Sequence, residues 1–219
     1  MSGSGNDDAP TRRPGLLRAD RPRLIVAAKQ ARAAAQLVRP APAADRKIAE
    51  VYDYKDAAGQ PLYQIVRFDP KGFQERRSDG AGGWIWDLEG VSLVLYRLPE
   101  VVKADTVLVV EGEKDVETAY RLGLPAGWAA TCNPFGSTRW QSSYGEVLRD
   151  KSVVLCPDTD PAGQRHLRQI GRDLVGKAAS IHLIVLPDKI KDLSQWADVP
   201  NRVPFTALLE SASPADFPP

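Results

Sequence analysis

The sequence predicts an α/β protein in which a mostly parallel sheet, with helices on both faces, follows a small β-rich α+β subdomain. Short apolar runs at residues 107–110, 152–155 and 181–186 each end abruptly in polar residues, as buried strands do. Stretches with helical spacing of apolar residues lie between these runs, and strands that alternate with helices are typical of parallel sheets. Ahead of them, apolar and polar residues alternate between positions 48 and 68, which predicts an antiparallel hairpin.

The first 44 residues are predicted to form a flexible basic arm. Residues 1–15 contain almost nothing apolar to bury, so we expect them to be disordered. Residues 24–38 are rich in Ala and carry Lys29 and Arg32, which predicts a helix that ends before Pro40. The basic face of this helix has two interpretations, a solvated surface or a contact with a phosphate backbone.

Residues 45–104 are predicted to form the β-rich subdomain. After the hairpin, residues 73–77 continue the meander, the glycines at 80–83 interrupt it, and residues 84–86 resume it. Arg67, Arg76 and Arg77 lie near Phe73 and Trp84 in the sequence. Basic residues beside aromatic ones are typical of surfaces that bind single-stranded nucleic acid. The alternative for the tryptophan is a core anchor, since large aromatic residues dominate small cores.

Residues 105–200 are predicted to form the parallel-sheet domain, and the ends of its strands carry acids. Glu111 follows the first apolar run, and Gly112 is expected to let the backbone turn there. Asp158 and Asp160 follow the second run and point the same way if the backbone stays extended, and Asp192 lies shortly after the third. The carboxyl ends of parallel strands meet at one edge of a sheet, where ligands bind in such folds.

Carboxylates gathered at one edge predict a bound cation. Two carboxylates ~4 Å apart repel by about 4 kcal/mol at an effective dielectric constant of ~20. Oxygen ligands favour Mg²⁺ or Mn²⁺, and we expect two ions if the site performs phosphoryl transfer. The alternative is that the acids only cap helices and turns. Cys132 and Cys156 are too few for a zinc ribbon and are interpreted as buried, reduced thiols.

The acidic pattern resembles the Toprim domain of bacterial-type primases, topoisomerases and certain nucleases and recombination proteins. The resemblance covers residues 105–198, and it implies a Rossmann-like sheet. Residues 191–196 (KDLSQW) resemble a segment of phage and plasmid primase-helicases, and residues 45–99 resemble, more loosely, the small domain that precedes Toprim in such proteins. The zinc-binding and helicase modules of those proteins have no counterpart in this sequence. These residues carry the Toprim resemblance: Glu111, Gly112 and Asp115 in one motif, and Asp158, Asp160 and Gly163 in the other.

The resemblance implies roles for individual residues. Asp158 and Asp160 are candidate metal ligands, and Glu111 is a candidate ligand or general base; these three are the predicted catalytic residues. Asp115 and Asp192 are further candidate ligands. Predicted contacts with nucleic acid or nucleotide are made by Lys114, Arg67, Arg76, Arg77 and Arg139. The loop that contains Arg139, residues 133–140, has a plain surface loop as its alternative interpretation, and His166 is expected to lie at the surface near the site.

The function expected from this resemblance is synthesis of RNA primers on a single-stranded DNA template from ribonucleotides, with a replicative helicase as a possible partner. Two alternatives stay open: strand cleavage by a Toprim nuclease or a topoisomerase-like enzyme, and a non-catalytic DNA-binding scaffold. Tyr63, Tyr96 and Tyr144 are the tyrosines available as topoisomerase nucleophiles. The sequence also predicts a C-terminal tail at residues 201–219, which holds a short amphipathic piece at 205–209 and is expected to fray after it.

The composition of the chain excludes some kinds of nucleic-acid-binding and membrane protein. The net charge of +1 over 219 residues excludes a uniformly basic coat for nucleic acid, although it permits local basic patches. No apolar segment approaches the ~20 residues that span a bilayer, and the N-terminus lacks the apolar core of a signal peptide. We therefore expect a cytoplasmic protein that does not contact membranes.

Overall fold

The computed structural model describes residues 46–218, so the predicted N-terminal arm and its helix lie outside the described residues. The described chain begins with a four-stranded antiparallel sheet in the order β1-β2-β3-β4. Tyr54 pairs with Tyr63 across the hairpin, and Gln64 pairs with Arg76 across the next turn. The strands have these bounds: β1 Lys47–Lys55, β2 Pro61–Asp69, β3 Gly72–Ser78 and β4 Trp84–Ile85. The predicted hairpin and meander are therefore confirmed.

A five-stranded, mostly parallel sheet follows, in the order β6-β5-β7-β8-β9. The first four of these strands are parallel, and the short last strand is antiparallel to β8. The strands have these bounds: β5 Thr106–Val109, β6 Trp128–Thr131, β7 Ser152–Leu155, β8 Ser180–Leu183 and β9 Ser213–Pro214. The predicted mixed α/β fold with a largely parallel sheet is confirmed.

Six α-helices connect or flank these strands within residues 46–218. Their bounds are α1 Leu98–Lys103, α2 Glu113–Leu122, α3 Ser142–Val147, α4 Pro161–Leu174, α5 Leu193–Ala197 and α6 Phe205–Glu210. A 3-10 turn, Gly136–Thr138, precedes α3. The proline that opens α4 suits a first helical position, because its missing N–H has no partner there in any case.

Apolar cores lie on both faces of the parallel sheet. On one face, Leu108 and Val154 pack with the antiparallel sheet and with residues of α2, α5 and α6. On the other face, Val109 and Leu155 pack with α3 and α4. Alternate residues of one strand thus enter opposite cores, as the two-residue period of a strand requires. The antiparallel sheet is thereby held against the same face as α2 and α5, beside the carboxyl edge of β5.

Three smaller expectations have different outcomes. Cys132 and Cys156 are buried, free thiols, as predicted. The residues after 209 were expected to fray, but β9 pairs with β8 and Phe217 packs against the core beside α4. Helix α1 was not predicted, because six residues are too few for a helical period to show. None of the helices within residues 46–218 is long and apolar enough to cross a membrane.

A candidate active site at the carboxyl edge of the parallel sheet

A cavity of about 500 Å³ lies between the carboxyl edge of the parallel sheet and strands β2 and β3. Glu111 and Asp158 line one side of it, at the ends of β5 and β7. Arg67, Lys71 and Phe73 line the other side. The sheet edge thus brings carboxylates to the cavity, while β2 and β3 bring cationic and aromatic groups together with Glu75.

Glu111 lies two residues after the end of β5, and its half-buried position raises its pKa. Its Oε2 atom is buried without a hydrogen-bond partner among the described residues. Burial, with the negative charges of Asp158 and Asp160, raises the pKa of Glu111 to about 7. The next residue, Gly112, has an extended backbone with φ −144°, and a Cβ at this position would meet open space. The expectation that this turn needs glycine is therefore wrong.

Asp158 and Asp160 both face the ammonium group of Lys191. The Lys191 Nζ lies 3.3 Å from Oδ2 of Asp158 and 3.4 Å from Oδ2 of Asp160. The spacing of these two aspartates therefore does bring both carboxylates to one cation. Burial and then the charge of Asp115 raise the pKa of Asp158 to about 6, although Lys191 opposes this shift.

Asp160 has a second role as the N-cap of α4. Its Oδ1 accepts hydrogen bonds from the backbone N–H groups of Ala162 and Gly163, both at 2.9 Å. These bonds, that of Gly163 first, lower the pKa of Asp160. The approach is close at Gly163, because a Cβ there would lie 2.7 Å from the Cβ of Asp158. Glycine is thus required where α4 starts against the Asp158 backbone.

Asp115 and Asp192 are engaged in holding α5 in place. Asp115 is buried and accepts hydrogen bonds from the backbone N–H of Ser194, at 2.9 Å, and from the Ser194 hydroxyl. Asp192 caps α5 by accepting from the N–H of Gln195 at 2.7 Å. Both aspartates also line the cavity. Burial raises the pKa of Asp115 in spite of its bonds to Ser194.

The three arginines predicted to bind nucleic acid do not lie together. Arg67 lines the cavity and lies 3.6 Å from the carboxylate of Glu50. Arg76 pairs in register with Gln64, so it points to the opposite face of the sheet from Arg67. There its guanidinium stacks 4.0 Å from the ring centroid of Trp84. Arg77 donates to Asp87 at 3.0 Å.

Of the two other residues predicted to contact nucleic acid or nucleotide, one lines the cavity and the other does not. Lys114 lines the cavity near the start of α2. Arg139 is exposed and is absent from the cavity lining among the described residues, whereas Phe135 and Gly136 of the same loop belong to it. The loop therefore reaches the site through its first residues.

The donor set fits a Mg²⁺ or Mn²⁺ ion, with one restriction. Within residues 46–218, no three His, Cys, Asp or Glu side chains are close enough to hold one ion by themselves. Mg²⁺ is usually bound through one or two carboxylates together with waters and substrate phosphates, so a complete protein cage is not required. Glu111 and Asp158, which both line the cavity, suit that kind of site.

Two residues of the site were not found from the sequence. Lys191 lies in the KDLSQW segment, yet its role as the cation between Asp158 and Asp160 was not predicted. His166 was expected at the surface, and this is wrong, because it is only 3% exposed. The sequence held a signal for its burial: His166, Ile170 and Leu174 are spaced by four residues and so share one face of α4.

Comparisons with known proteins were made for the sequence and for the structure. No protein-family model and no curated protein sequence matches the chain. Solved structures do match. The Aquifex aeolicus primase, described by its zinc-binding and RNA polymerase domains, gives a TM-score of 0.60 at 15% identity and covers 88% of this chain. A DNA primase domain from Pseudomonas aeruginosa gives 0.56 at 20% identity over 75% of this chain.

A third match is to a chain in an assembly of bacteriophage T7 lagging-strand DNA polymerase with primase domains bound to an RNA/DNA hybrid and dTTP. Its TM-score is 0.52 at 20% identity, over 75% of this chain and 78% of the phage chain. The present chain spans about half of the two bacterial chains, 49% of the Aquifex protein and 51% of the Pseudomonas domain. At these identities the comparisons establish architecture. The chain therefore shares the fold of DNA primase domains.

Proposed function

We propose that this chain is the catalytic module of a metal-dependent nucleotidyltransferase that synthesises RNA primers on single-stranded DNA. The observation that carries the proposal is the cavity itself. It sets Glu111 and Asp158 opposite Arg67 and Lys71, in a fold shared with primase domains. Carboxylates facing cationic groups across such a cavity suit the joining of nucleotides along a nucleic-acid strand.

Glu111 and Asp158 would hold Mg²⁺ or Mn²⁺, with Asp160 able to contribute its second oxygen. When bound, the metal lowers the pKa of an attacking hydroxyl and stabilises charge on the transferred phosphoryl group, a task that two-metal sites divide between two ions. Oxygen donors are the ligands that these hard cations prefer. Asp115 and Asp192 remain proposed outer ligands, although both already accept hydrogen bonds at α5.

The protein's own groups perform the remaining tasks. Glu111 is the proposed general base for a nucleotide 3′-hydroxyl in the alternative that it does not ligate the metal. Lys191 balances the charge of Asp158 and Asp160 and lies where a phosphate would approach them. Lys114 lines the same cavity and provides a second point charge for phosphate.

The template side of the cavity is formed by β2 and β3. Arg67 and Phe73 are paired in register on neighbouring strands, and Lys71 lies in the turn that joins them. A cationic group beside an aromatic ring suits a single strand, since the backbone is neutralised and a base stacks. We place the template here, and the ribonucleotides nearer Lys114 and Lys191. A replicative helicase remains a proposed partner.

The topoisomerase alternative is not supported by the tyrosines named for it. Tyr63, Tyr96 and Tyr144 are all buried, with exposed fractions of 3%, 6% and 2%. Burial raises the pKa of each hydroxyl. The Tyr96 hydroxyl also donates to Glu117 at 2.7 Å. Buried hydroxyls with raised pKa values are poorly suited to attack a DNA backbone.

The proposal is tested by incubating the protein with single-stranded DNA, the four ribonucleotides and Mg²⁺ or Mn²⁺, and resolving the products on a denaturing gel. We expect short oligoribonucleotides from the parent protein and none from Glu111→Gln. Glu89→Gln is the matched control, because Glu89 is exposed and lies outside the cavity. Primers that persist in Glu111→Gln would contradict the proposed role, and shortened DNA would instead identify a nuclease.

A further inference from the structure

His166 is a buried polar side chain without an evident task. It lies in the second turn of α4 with only 3% of its surface exposed, and its Nε2 atom has no hydrogen-bond partner among the described residues. Its ring contacts the edge of Trp140, with the two centroids 6.3 Å apart. Buried imidazole nitrogens are normally hydrogen-bonded, so this atom calls for a partner.

Glu111 also carries a buried polar atom, Oε2, that lacks a hydrogen-bond partner among the described residues. Both residues line a small cavity of about 10 Å³ beneath the active-site cavity, between the ends of β5 and β7 and the face of α4. The two residues that carry the unpartnered atoms therefore line the same small space.

We propose that this cavity is a site for one buried water molecule that joins the His166 imidazole to the Glu111 carboxylate. A space of this size is about that of one water, and a buried water needs at least two polar partners. The remaining lining is mostly apolar, from Val109, Leu155 and Ile170. Glu111 and His166 are therefore the side chains that would hold the water.

Water suits these two groups in either tautomer of the imidazole. A water molecule has two hydrogens to donate and two lone pairs to accept with. It donates to the carboxylate oxygen in both cases, and it either accepts from a protonated Nε2 or donates to an unprotonated one. The site therefore does not depend on which ring nitrogen carries the hydrogen.

The consequence is a positioning role for His166, which rests on the proposed function of Glu111. Glu111 lines both cavities, so a water that anchors Oε2 in the small one would fix the rotation of the carboxylate. Groups that orient a reacting or ligating side chain in this way typically contribute about 10- to 100-fold to activity. His166 would act through Glu111, without touching the substrate.

A high-resolution crystal structure of the full chain tests the site independently of any activity. We expect one ordered water within hydrogen-bonding distance of both His166 Nε2 and Glu111 Oε2. The same structure of His166→Leu should show that water lost and the Glu111 carboxylate rotated. A direct bond between the two side chains, or an empty cavity in the parent protein, would overturn the proposal.

Steady-state priming kinetics test the positioning role. We expect His166→Leu to lower kcat by about tenfold or more, while KM for ribonucleotides changes by less than about twofold, because substrate binding is untouched. His166→Gln keeps a polar group near the cavity and should recover most of the lost kcat. His182→Gln serves as the matched control, since the only other histidine lies on β8 in register with Val154.

The outcomes separate the two proposals. Equal kcat values for His166→Leu and the parent would refute the positioning role, as would a failure of His166→Gln to restore activity in a folded protein. If the parent protein makes no oligoribonucleotides, the proposed function fails, and the crystallographic result still decides whether the water site exists. Circular dichroism of each variant verifies that the fold is kept.

Discussion

The hydrogen bonds between Asp115 and Ser194 give a sharp test of how α5 is held against α2. Oδ1 of Asp115 accepts from both the backbone N–H and the hydroxyl of Ser194. In Asp115→Ala, the hydroxyl can turn to Thr118, whose oxygen lies 3.1 Å away, but the N–H is left buried without an acceptor. An orphaned buried donor costs about 1–3 kcal/mol, so we expect the free energy of unfolding to fall by about that amount.

Asp115→Asn separates the hydrogen bonds from the charge. The amide oxygen can accept from the same two donors, so the link between the helices survives. Burial raises the pKa of the Asp115 carboxyl. The fold therefore loses stability as the pH rises from the pKa of a free carboxyl through the folded-state pKa, because the buried group becomes charged. The asparagine lacks this penalty, so we expect the free energy of unfolding at neutral pH to stay within about 1 kcal/mol of the parent value or to rise.

Urea unfolding in metal-free buffer, followed by tryptophan fluorescence, measures both variants, since Trp196 lies in α5 itself. The m-values should stay constant, so that midpoints report stability. An alanine variant as stable as the parent would refute the reasoning, because two buried hydrogen bonds would then contribute nothing. An asparagine variant as damaged as the alanine one would show that the negative charge, and not the acceptor, holds the helix.

Three further outcomes are expected. Burial lowers the pKa of His166 to about 4, so the stability that its neutral ring contributes is present above pH ~6.5 and is lost as the pH falls to ~4, by about 3 kcal/mol in all. Urea unfolding of His166→Leu across this range should lack that loss. Arg67→Ala should lower the salt slope of single-stranded DNA binding by about one, whereas Arg76→Ala, on the opposite face, should leave it unchanged; equal slopes in both would remove Arg67 from the template surface. Lys191→Met should tighten Mn²⁺ binding, measured by titration calorimetry, by roughly twofold to fivefold, since exposed ion pairs contribute about 1 kcal/mol or less; weaker binding would show that Lys191 does not compete with the metal.

Much of the fold followed from patterns that are local in the chain. Strands β5, β7 and β8 were predicted because each is a short apolar run that ends at a polar residue. Asp158 and Asp160 are separated by one residue, and this spacing predicted that both carboxylates face one cation. These features depend on backbone geometry within a few residues.

Features that depend on register or packing were missed. Arg67 and Arg76 look equivalent in the sequence, but the tight turn between β2 and β3 sets Arg76 opposite Gln64 and so sends the two guanidinium groups to different faces. The burial of His166 depends on α4 turning that face toward β5 and β7. Lys191 meets Asp158 only because the loop after β8 folds back, where Thr159 N–H donates to the Lys191 carbonyl at 2.9 Å.

The close approach at Gly163 separates the residues of the acidic motif that the fold requires from those that the proposed activity requires. A side chain at this position would collide with the Asp158 backbone, so the glycine is demanded by how α4 begins, whether or not the protein catalyses anything. Glu111 meets no such steric demand, since its side chain lines the active-site cavity. A protein with this fold would therefore need the glycine even without activity. Only the proposed catalytic activity requires the glutamate.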